Sequence, residues 1–358
     1  MDAHNCYPYG GRWSDRIDRA LETGTPLAIE QDLFWYTDKG TGKSWSVVSH
    51  GDKVRGTEPT IRDYFFERIR PVIEKALHDG DTRNWPLITL NLDFKSDEAA
   101  HHAAIWQLLK EYESWICSAE RTSDIQQMMP LTLKPLLVLT GEADSQQRDF
   151  YDIVPVGERL LAFGAVHLHG KDPMAPPEIL VPQPANNYRR WWNNSWGVVE
   201  EGGQRKSGAW TSQDEERLQG LVNHAHKMNL WIRFYTLNGH SDRDRKENGW
   251  DKNYNFGSKE SVLMRWKAAV AARVDFLATD QYEDLAKLLH DFPPAAISEK
   301  MERRLAGNSH WRTLRAIVEP TTSARSESCS VDMVKGAIAG CLPAPAVNKP
   351  AGDAPDAP

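Results

Sequence analysis

The sequence predicts an α/β fold, a closed (β/α)8 TIM barrel, on three observations. Apolar, strand-like segments recur along the chain and most are followed by a helical segment, which is the pattern of a parallel sheet covered on both faces. Counting a short strand at the N-terminus, eight such units occupy about 285 residues, a size that suits one closed barrel. No glycine-rich phosphate-binding turn follows any strand, which disfavours the nucleotide-binding form of the alternative, an open doubly wound sheet.

Eight segments supply the predicted strands. The clearest are PLAIEQDLFW and PLITLNLDFK, in which apolar residues dominate and the polar residues alternate with them. The segment at residues 189–192 is the weakest of the set. In chain order, the predicted strands cover residues 1–5, 26–35, 86–95, 135–140, 160–168, 189–192, 230–237 and 274–279.

Helical patterns fill the intervals between these strands. Pro59 suits the first turn of a helix, and Pro71 predicts a break or kink within it. Ser212 and Glu215 have the spacing of a capping box at a later helix start. The predicted helices cover residues 13–23, 59–78, 96–113, 213–228, 259–272 and 281–290.

Two regions depart from this alternation. Residues 170–210 are rich first in proline and then in aromatic residues, namely Tyr188, Trp191, Trp192 and Trp196. This aromatic cluster can clasp a lipid or sugar group, form an interface or pack beneath a long loop. From residue 320 the composition shifts to serine, alanine and proline, which predicts disorder. We therefore expect a barrel domain at residues 1–292, a short helical C-terminal extension at 293–319 and a disordered tail at 320–358.

Composition is typical of a soluble globular protein and disfavours several function classes. The 358 residues are 40% hydrophobic and 26% charged with a net charge of −7, which argues against a general binder of nucleic acid or anionic membranes. No apolar run reaches about 18 residues, so we expect no membrane span, and the chain as given shows no signal peptide. A start trimmed by maturation would indicate a secreted or extracytoplasmic protein. The compartment and the oligomeric state stay open.

The cysteines do not indicate a metal site. Cys6, Cys117, Cys329 and Cys341 lie at no spacing typical of zinc ligands. Four thiols can pair in three ways or remain free, and the sequence does not choose among these outcomes.

Two carboxylates in the second strand indicate a different kind of metal site. Glu30 and Asp32 interrupt an apolar run and, being two residues apart on a strand, project to the same side. Like charges there repel each other and resist burial unless a cation lies between them. A divalent metal with oxygen ligands is the economical partner. For such a pair alone, the alternative is a strand end at which both acids reach water.

Neighbouring strands add polar groups at the same end of the barrel, where the reacting groups of such folds collect. His4 and Asn5 end the first strand, Asp93 and Lys95 end the third, and His50 lies in the loop region after the second. Carboxylate and amide oxygens suit Mg²⁺ or Ca²⁺, and two imidazoles can act as general acid and general base. An ammonium group can bind a phosphate oxygen. Together these groups predict in-line displacement at a phosphodiester.

In order and type, these residues resemble the phospholipase-C-like phosphodiesterase superfamily. This superfamily includes phosphatidylinositol-specific phospholipases C, glycerophosphodiester phosphodiesterases and the sphingomyelinase D toxins. The resemblance covers residues 3–284 and is most specific in the first 95. It rests on HN at the first strand, E-x-D at the second, SVVSHGD at 46–52, NLDFK at 91–95, FYTLN at 234–238 and ATDQYEDL at 278–285. The chain departs from typical glycerophosphodiester phosphodiesterases, which begin with His-Arg, by having Asn5, and its last segment lacks their proline.

The resemblance implies a phosphoric diester hydrolase on a (β/α)8 barrel. It implies His4 and His50 as the acid/base pair, with Lys95 at the phosphate. It implies one divalent cation, Mg²⁺ or Ca²⁺, with the ligands Asn5, Glu30, Asp32 and Asp93. The implied substrate is a phospholipid-type or glycerophosphodiester compound, and a phospholipid would bring peripheral contact with a membrane.

Two rival functions stay open on the sequence. A glycosidase on the same barrel would use two spaced carboxylates without a cation and tryptophans as platforms. A barrel without catalysis would bind lipid or glycan through the aromatic cluster. Among the remaining polar residues, His101 and His102 are predicted on a solvated helix face. Arg233 is either a phosphate contact or an ion-pair partner within the fold.

Overall fold

Strands and helices alternate along the chain, as its apolar segments predict. The computed structural model describes residues 1–8, 13–51 and 53–291. The predicted helical extension and the predicted tail, residues 293–358, lie outside the described residues, as do Cys329 and Cys341. The two described cysteines, Cys6 and Cys117, are buried free thiols.

Eleven strands lie in the described residues. In chain order they are β1 (Asp2–Ala3), β2 (Leu27–Thr37), β3 (Ser44–Val48), β4 (Ile88–Phe94), β5 (Ala119–Glu120), β6 (Leu136–Thr140), β7 (Arg159–Leu160), β8 (Phe163–Ala165), β9 (Arg189–Ser195), β10 (Trp231–Tyr235) and β11 (Phe276–Thr279).

Eight of these strands are parallel and close into a barrel. Their order around the ring is β1, β2, β4, β6, β8, β9, β10 and β11, and β1 pairs with both β2 and β11. The strands are rich in apolar residues because they are covered on both faces, by the barrel interior and by the outer helices. This closure confirms the predicted (β/α)8 fold, including the weakest predicted strand, which is β9.

Nine α-helices lie in the described residues, and they follow the strands as the barrel pattern requires. They are α1 (Arg16–Glu22), α2 (Glu67–Asp79), α3 (Ala99–Glu111), α4 (Asp144–Gln147), α5 (Pro177–Leu180), α6 (Ser212–Lys227), α7 (Asp242–Asn248), α8 (Lys259–Ala272) and α9 (Tyr282–Asp291). Within the described part of the chain, none of them is long and apolar enough to cross a bilayer.

Two local predictions about the helices differ from the structure in detail. Helix α2 continues through Pro71 instead of breaking there, and a π-helical turn at Arg62–Phe66 precedes it. The capping box of α6 is formed by Thr211 and Asp214, one residue before the predicted pair. Aspartate at the third helical position returns the hydrogen bond to the cap, as a glutamate would.

The extension of β2 beyond the barrel rim has a consequence for the site. Strand β3 pairs with it antiparallel, with Leu33 opposite Val48. The backbone N–H of Ser49 then donates to the carbonyl of Asp32 at 2.9 Å. This hairpin therefore brings the chain back to the rim at the residue before His50.

The aromatic cluster of residues 188–196 belongs to the core. Tyr188, Trp191, Trp192 and Trp196 are all buried, and all four lie on or directly beside β9. The indole N–H of Trp191 donates to the Thr140 carbonyl at 2.9 Å. Of the alternatives left open by the sequence, packing within the fold is the one observed, because a clasping surface would have to be exposed.

The helix face that carries His101 and His102 is covered, so the prediction of a solvated face is wrong. Both side chains are fully buried. His101 lies 2.8 Å from the hydroxyl of Ser46 on β3, and His102 lies 2.8 Å from Asp149. The β2–β3 hairpin packs over this part of α3 and removes it from water. Burial lowers the pKa of His101 to about 4.

We expect Trp191→Ala to lower the free energy of unfolding by about 3–5 kcal/mol, because it opens a cavity beside the barrel strands. Trp191 is 1% exposed, whereas Ile153, the matched control, is 65% exposed. Ile153→Ala should change stability by no more than about 0.5 kcal/mol. Denaturant unfolding measures both values, and a loss at Trp191 equal to that at Ile153 would contradict core packing.

We expect acid to destabilise the protein through His101. The pKa is about 4 in the folded protein, below the value of about 6.5 usual for the unfolded chain, so the unfolded state takes up the proton first as pH falls. This group contributes a loss of roughly 3 kcal/mol between pH 6.5 and pH 4. In unfolding measured across that range, His101→Gln should show a shallower pH dependence than the wild type. The same pH dependence in the variant and the wild type would contradict a lowered pKa at His101.

Candidate active site

A cavity of about 500 Å³ opens at the C-terminal ends of the barrel strands. All seven residues that the sequence singles out for the site line it. They are His4, Asn5, Glu30, Asp32, His50, Asp93 and Lys95. The cavity thus gathers residues from β1, β2, β4 and the loop after β3.

Strand register brings the carboxylates together. In the parallel pair β2–β4, Glu30 is opposite Asn91 and Asp32 is opposite Asp93. Residues at equivalent register positions of neighbouring strands point to the same face, and positions two apart on one strand do so as well. Glu30 and Asp32 share a face because they are two residues apart on β2, and Asp93 joins them because β4 pairs with β2 in this register.

Ligand oxygens of Glu30, Asp32 and Asp93 all lie within 4.8 Å of one another. Glu30 and Asp32 are buried, and Oδ2 of Asp32 is buried without a hydrogen-bond partner among the described residues. Burial, together with the charges of Asp93 and Glu30, raises the pKa of Asp32 well above its usual range. Three crowded carboxylates, one with a buried oxygen that accepts no hydrogen bond, fit a hard divalent cation.

The Lys95 ammonium group lies against two of these acids. Its Nζ donates to Asp93 at 2.8 Å and lies 3.5 Å from Asp32. Although partial burial opposes it, the charges of Asp32 and Asp93 raise the pKa of Lys95. The lysine is therefore cationic and partly offsets the repulsion between the carboxylates.

His4 is held between two carboxylates. Its Nδ1 lies 3.2 Å from Asp280 and its Nε2 lies 3.4 Å from Glu30. Burial lowers the pKa of His4, but the charges of Glu30 and Asp280 outweigh it and raise the pKa above its usual value. An ionised Asp280 can only accept a hydrogen bond, so Nδ1 carries a proton and Nε2 is the nitrogen on the Glu30 side.

Asn5 occupies a backbone conformation that few non-glycine residues adopt, with φ of 49°. Its backbone N–H donates to Glu30 at 3.2 Å, and its side-chain amide donates to Asp280 at 3.2 Å. Its amide oxygen accepts from the Tyr7 hydroxyl at 3.0 Å. The amide thus bridges Asp280 and Tyr7 beside the acidic group, and its role as a ligand stays a prediction.

His50 lies on the exposed rim of the same cavity, following the β2–β3 hairpin. Its accessibility contrasts with the burial of His4. The two imidazoles therefore belong to one cavity, one inside it and one at its edge.

The sequence did not single out Asp280, the partner of His4 at Nδ1, or the groups that hold Asp280. Asp280 follows β11 and accepts hydrogen bonds from Arg16 at 3.0 Å and from the Asn238 amide at 2.5 Å. Although burial opposes it, the charges of His4 and Arg16 keep the pKa of Asp280 well below its usual range. The segment ATDQYEDL, an acid directly after the last strand, was a signal for Asp280. Arg16 on α1 offered none, since a lone helical arginine is usually solvated.

Arg233 on β10 also lines the cavity. Its Nε is hydrogen-bonded to Asp2, its Nη1 donates to Asn193 at 3.0 Å and its Nη2 lies 3.3 Å from Glu30. Of the two alternatives stated from the sequence, the ion-pair role is therefore observed, and it is located at the site itself.

No protein-family model and no curated protein matches the chain. Among solved structures, one match is a glycerophosphoryl diester phosphodiesterase from Parabacteroides distasonis, with 13% identity, 77% of this chain and 80% of that chain covered, and a TM-score of 0.36. Another is an HPPK-DHPS from Plasmodium falciparum, with 8% identity, 85% and 51% covered, and a TM-score of 0.39. The chain spans about half the length of the latter. The first is named for the activity of one branch of the superfamily that the sequence resembles. At these values, neither likeness bears on the activity of this chain.

Proposed function

We propose that the chain is a metal-dependent phosphoric diester hydrolase that acts on a phospholipid-type or glycerophosphodiester substrate. The observation that carries the proposal is one cavity lined by three clustered carboxylates, two imidazoles and an ammonium group. Each group has a function in phosphodiester displacement, and together they cover proton transfer and charge stabilisation.

Glu30, Asp32 and Asp93 would hold one divalent cation, Mg²⁺ or Ca²⁺. The donor set supports this assignment, because carboxylate oxygens are the ligands that these hard cations prefer. The unsatisfied Oδ2 of Asp32 supports it as well. When bound, the cation would supply Lewis-acid polarisation of the phosphoryl group.

His4 and His50 would move the protons. One imidazole takes the proton of the attacking group, and the other donates a proton to the leaving oxygen. Asp280 holds His4 by Nδ1, so Nε2 is the nitrogen available for the transfer. If the substrate carries a hydroxyl beside the phosphate, attack by that hydroxyl yields a cyclic phosphate; otherwise water attacks. Lys95 would bind a phosphate oxygen as a point charge.

The two rival functions are less well supported. A barrel that only binds lipid or glycan through the aromatic cluster would need that cluster at the surface, and its four members are buried. A glycosidase needs two carboxyl groups about 5–9 Å apart. Three carboxylates with oxygens within 4.8 Å, and a lysine between two of them, suit a shared cation better.

We expect His4→Ala and His50→Ala each to lower kcat/KM for bis(p-nitrophenyl) phosphate by about 10²–10⁴-fold, the usual contribution of a general acid or base. His167→Ala is the matched control, because His167 is accessible and pairs with Asp144 outside the acidic cluster. It should retain wild-type activity. Circular dichroism checks that each variant is folded. A folded His4→Ala or His50→Ala variant with wild-type turnover would remove that histidine from the mechanism.

We expect chelation by EDTA to abolish the hydrolysis, and Mg²⁺ or Ca²⁺ to restore it. Isothermal titration should give one site, weakened about tenfold or more in Asp32→Asn and Asp93→Asn because each removes a charged ligand. Glu142→Gln is the control, since Glu142 lines the cavity but lies outside the three-acid cluster. Hydrolysis that persists in EDTA, or equal weakening in Glu142→Gln, would contradict the assignment.

A further inference from the structure

Arg233 has a donor that the fold leaves unused. Its side chain is 2% exposed, and Nη2 is buried without a hydrogen-bond partner among the described residues. The nearest acid, Oε1 of Glu30 at 3.3 Å, is an ion contact that lacks hydrogen-bond alignment. Buried arginine donors are normally satisfied, so an unpaired one beside a cavity indicates a partner that arrives from the cavity.

The position of Arg233 complements that of Lys95. Lys95 contacts Asp32 and Asp93, whereas Arg233 contacts Glu30, so the two cations contact different members of the acidic cluster. A divalent cation held by the same three acids would offset their negative charge. The ion contacts that Lys95 and Arg233 make with these acids would then be weaker. The ammonium group of Lys95 and Nη2 of Arg233 would then be available to an anion in the cavity.

We propose that Arg233 is a second phosphate-binding residue, which donates from Nη2 to a non-bridging oxygen of the substrate while Lys95 binds the same phosphoryl group. This inference rests on the proposed hydrolase function. Asp2 and Asn193 hold the rest of the guanidinium in place, so Nη2, which makes only an ion contact with Glu30, is the nitrogen left for a phosphate oxygen.

The test is direct binding of inorganic phosphate to the full chain saturated with Mg²⁺, measured by isothermal titration. Arg233→Lys keeps the charge but removes the planar fork, and we expect it to weaken phosphate binding about tenfold or more. The affinity for Mg²⁺ should change by less than about threefold, since Arg233 is not a metal ligand.

Arg265→Lys is the matched control. Arg265 is also fully buried and pairs with Glu200 through two hydrogen bonds of 2.7 Å, remote from the cavity lining. It reports what the same substitution does to the fold, and its phosphate affinity should equal that of the wild type.

Rates of hydrolysis on two substrate classes show which group Arg233 contacts. If Arg233 contacts only the phosphoryl oxygens, Arg233→Lys should lower kcat/KM by the same factor on soluble glycerophosphodiesters as on lysophospholipids. A loss confined to one of the two would overturn the phosphate contact in favour of a head-group contact.

Three results would overturn the proposal. One is unchanged phosphate affinity in Arg233→Lys. Another is a loss of Mg²⁺ affinity with phosphate affinity retained, which would make Arg233 a positioning residue for Glu30. The third is a wild-type chain that, loaded with Mg²⁺, binds no phosphate.

If Arg233→Lys does not fold, a crystal structure of the wild-type chain with Mg²⁺ and phosphate tests the same contact. We expect Nη2 within about 3.2 Å of a phosphate oxygen. A phosphate bound by Lys95 alone would refute the inference.

If the wild type hydrolyses diesters while Arg233→Lys binds phosphate normally, the hydrolase stands and only this inference fails. If phosphate binding depends on Arg233 but no diester is cleaved, the proposed reaction fails instead.

Discussion

Repulsion among carboxylates at the mouth of the barrel is the constraint on which the rest of the site depends. Glu30, Asp32 and Asp93 present oxygens within 4.8 Å of one another, and two of the three side chains are buried. Such charges stay together in a low-dielectric environment only when cations lie close by. Lys95 and Arg233 meet this need from different directions. The site is therefore a balance of fixed charges, which a metal ion and a phosphate group can shift without rebuilding the fold.

Closure of the barrel supplies the other half of the site. Strand β1 has only two residues, yet its pairing with β11 brings His4 beside Asp280, 276 residues away in sequence. Arg16, Asn238 and Asn5 each donate to that aspartate. The histidine is thus oriented by the same contacts that join the first strand to the last. Damage to this closing pair would disturb His4 and the fold together, which is why the experiments above pair activity with measurements of folding.

The wrong prediction for His101 and His102 and the alternatives left open for the aromatic cluster share a physical cause. The aromatic cluster of residues 188–196 and the pair His101–His102 were judged by composition and local spacing, which do not report what lies over a side chain. The β2–β3 hairpin covers His101, with Ser46 hydrogen-bonded to it, whereas His102 packs against Phe150 and pairs with Asp149. Gly164 lets the Tyr188 ring approach the backbone of β8 at a point where a Cβ would collide with it. Both outcomes depend on how elements pack, so no window of a few residues could have revealed them.

The sequence by itself determined the alternation of strands and helices, the (β/α)8 fold and seven of the residues that line the cavity. These follow from apolar runs, a period of two and the rule that polar groups gather at strand ends, which are properties of short segments. Only the tertiary structure decided which distant groups pair with these residues. Arg233 on β10 lies 3.3 Å from Glu30, and Asp280 meets His4 across 276 residues. Such partners depend on the closure and register of the whole ring, which no local pattern encodes.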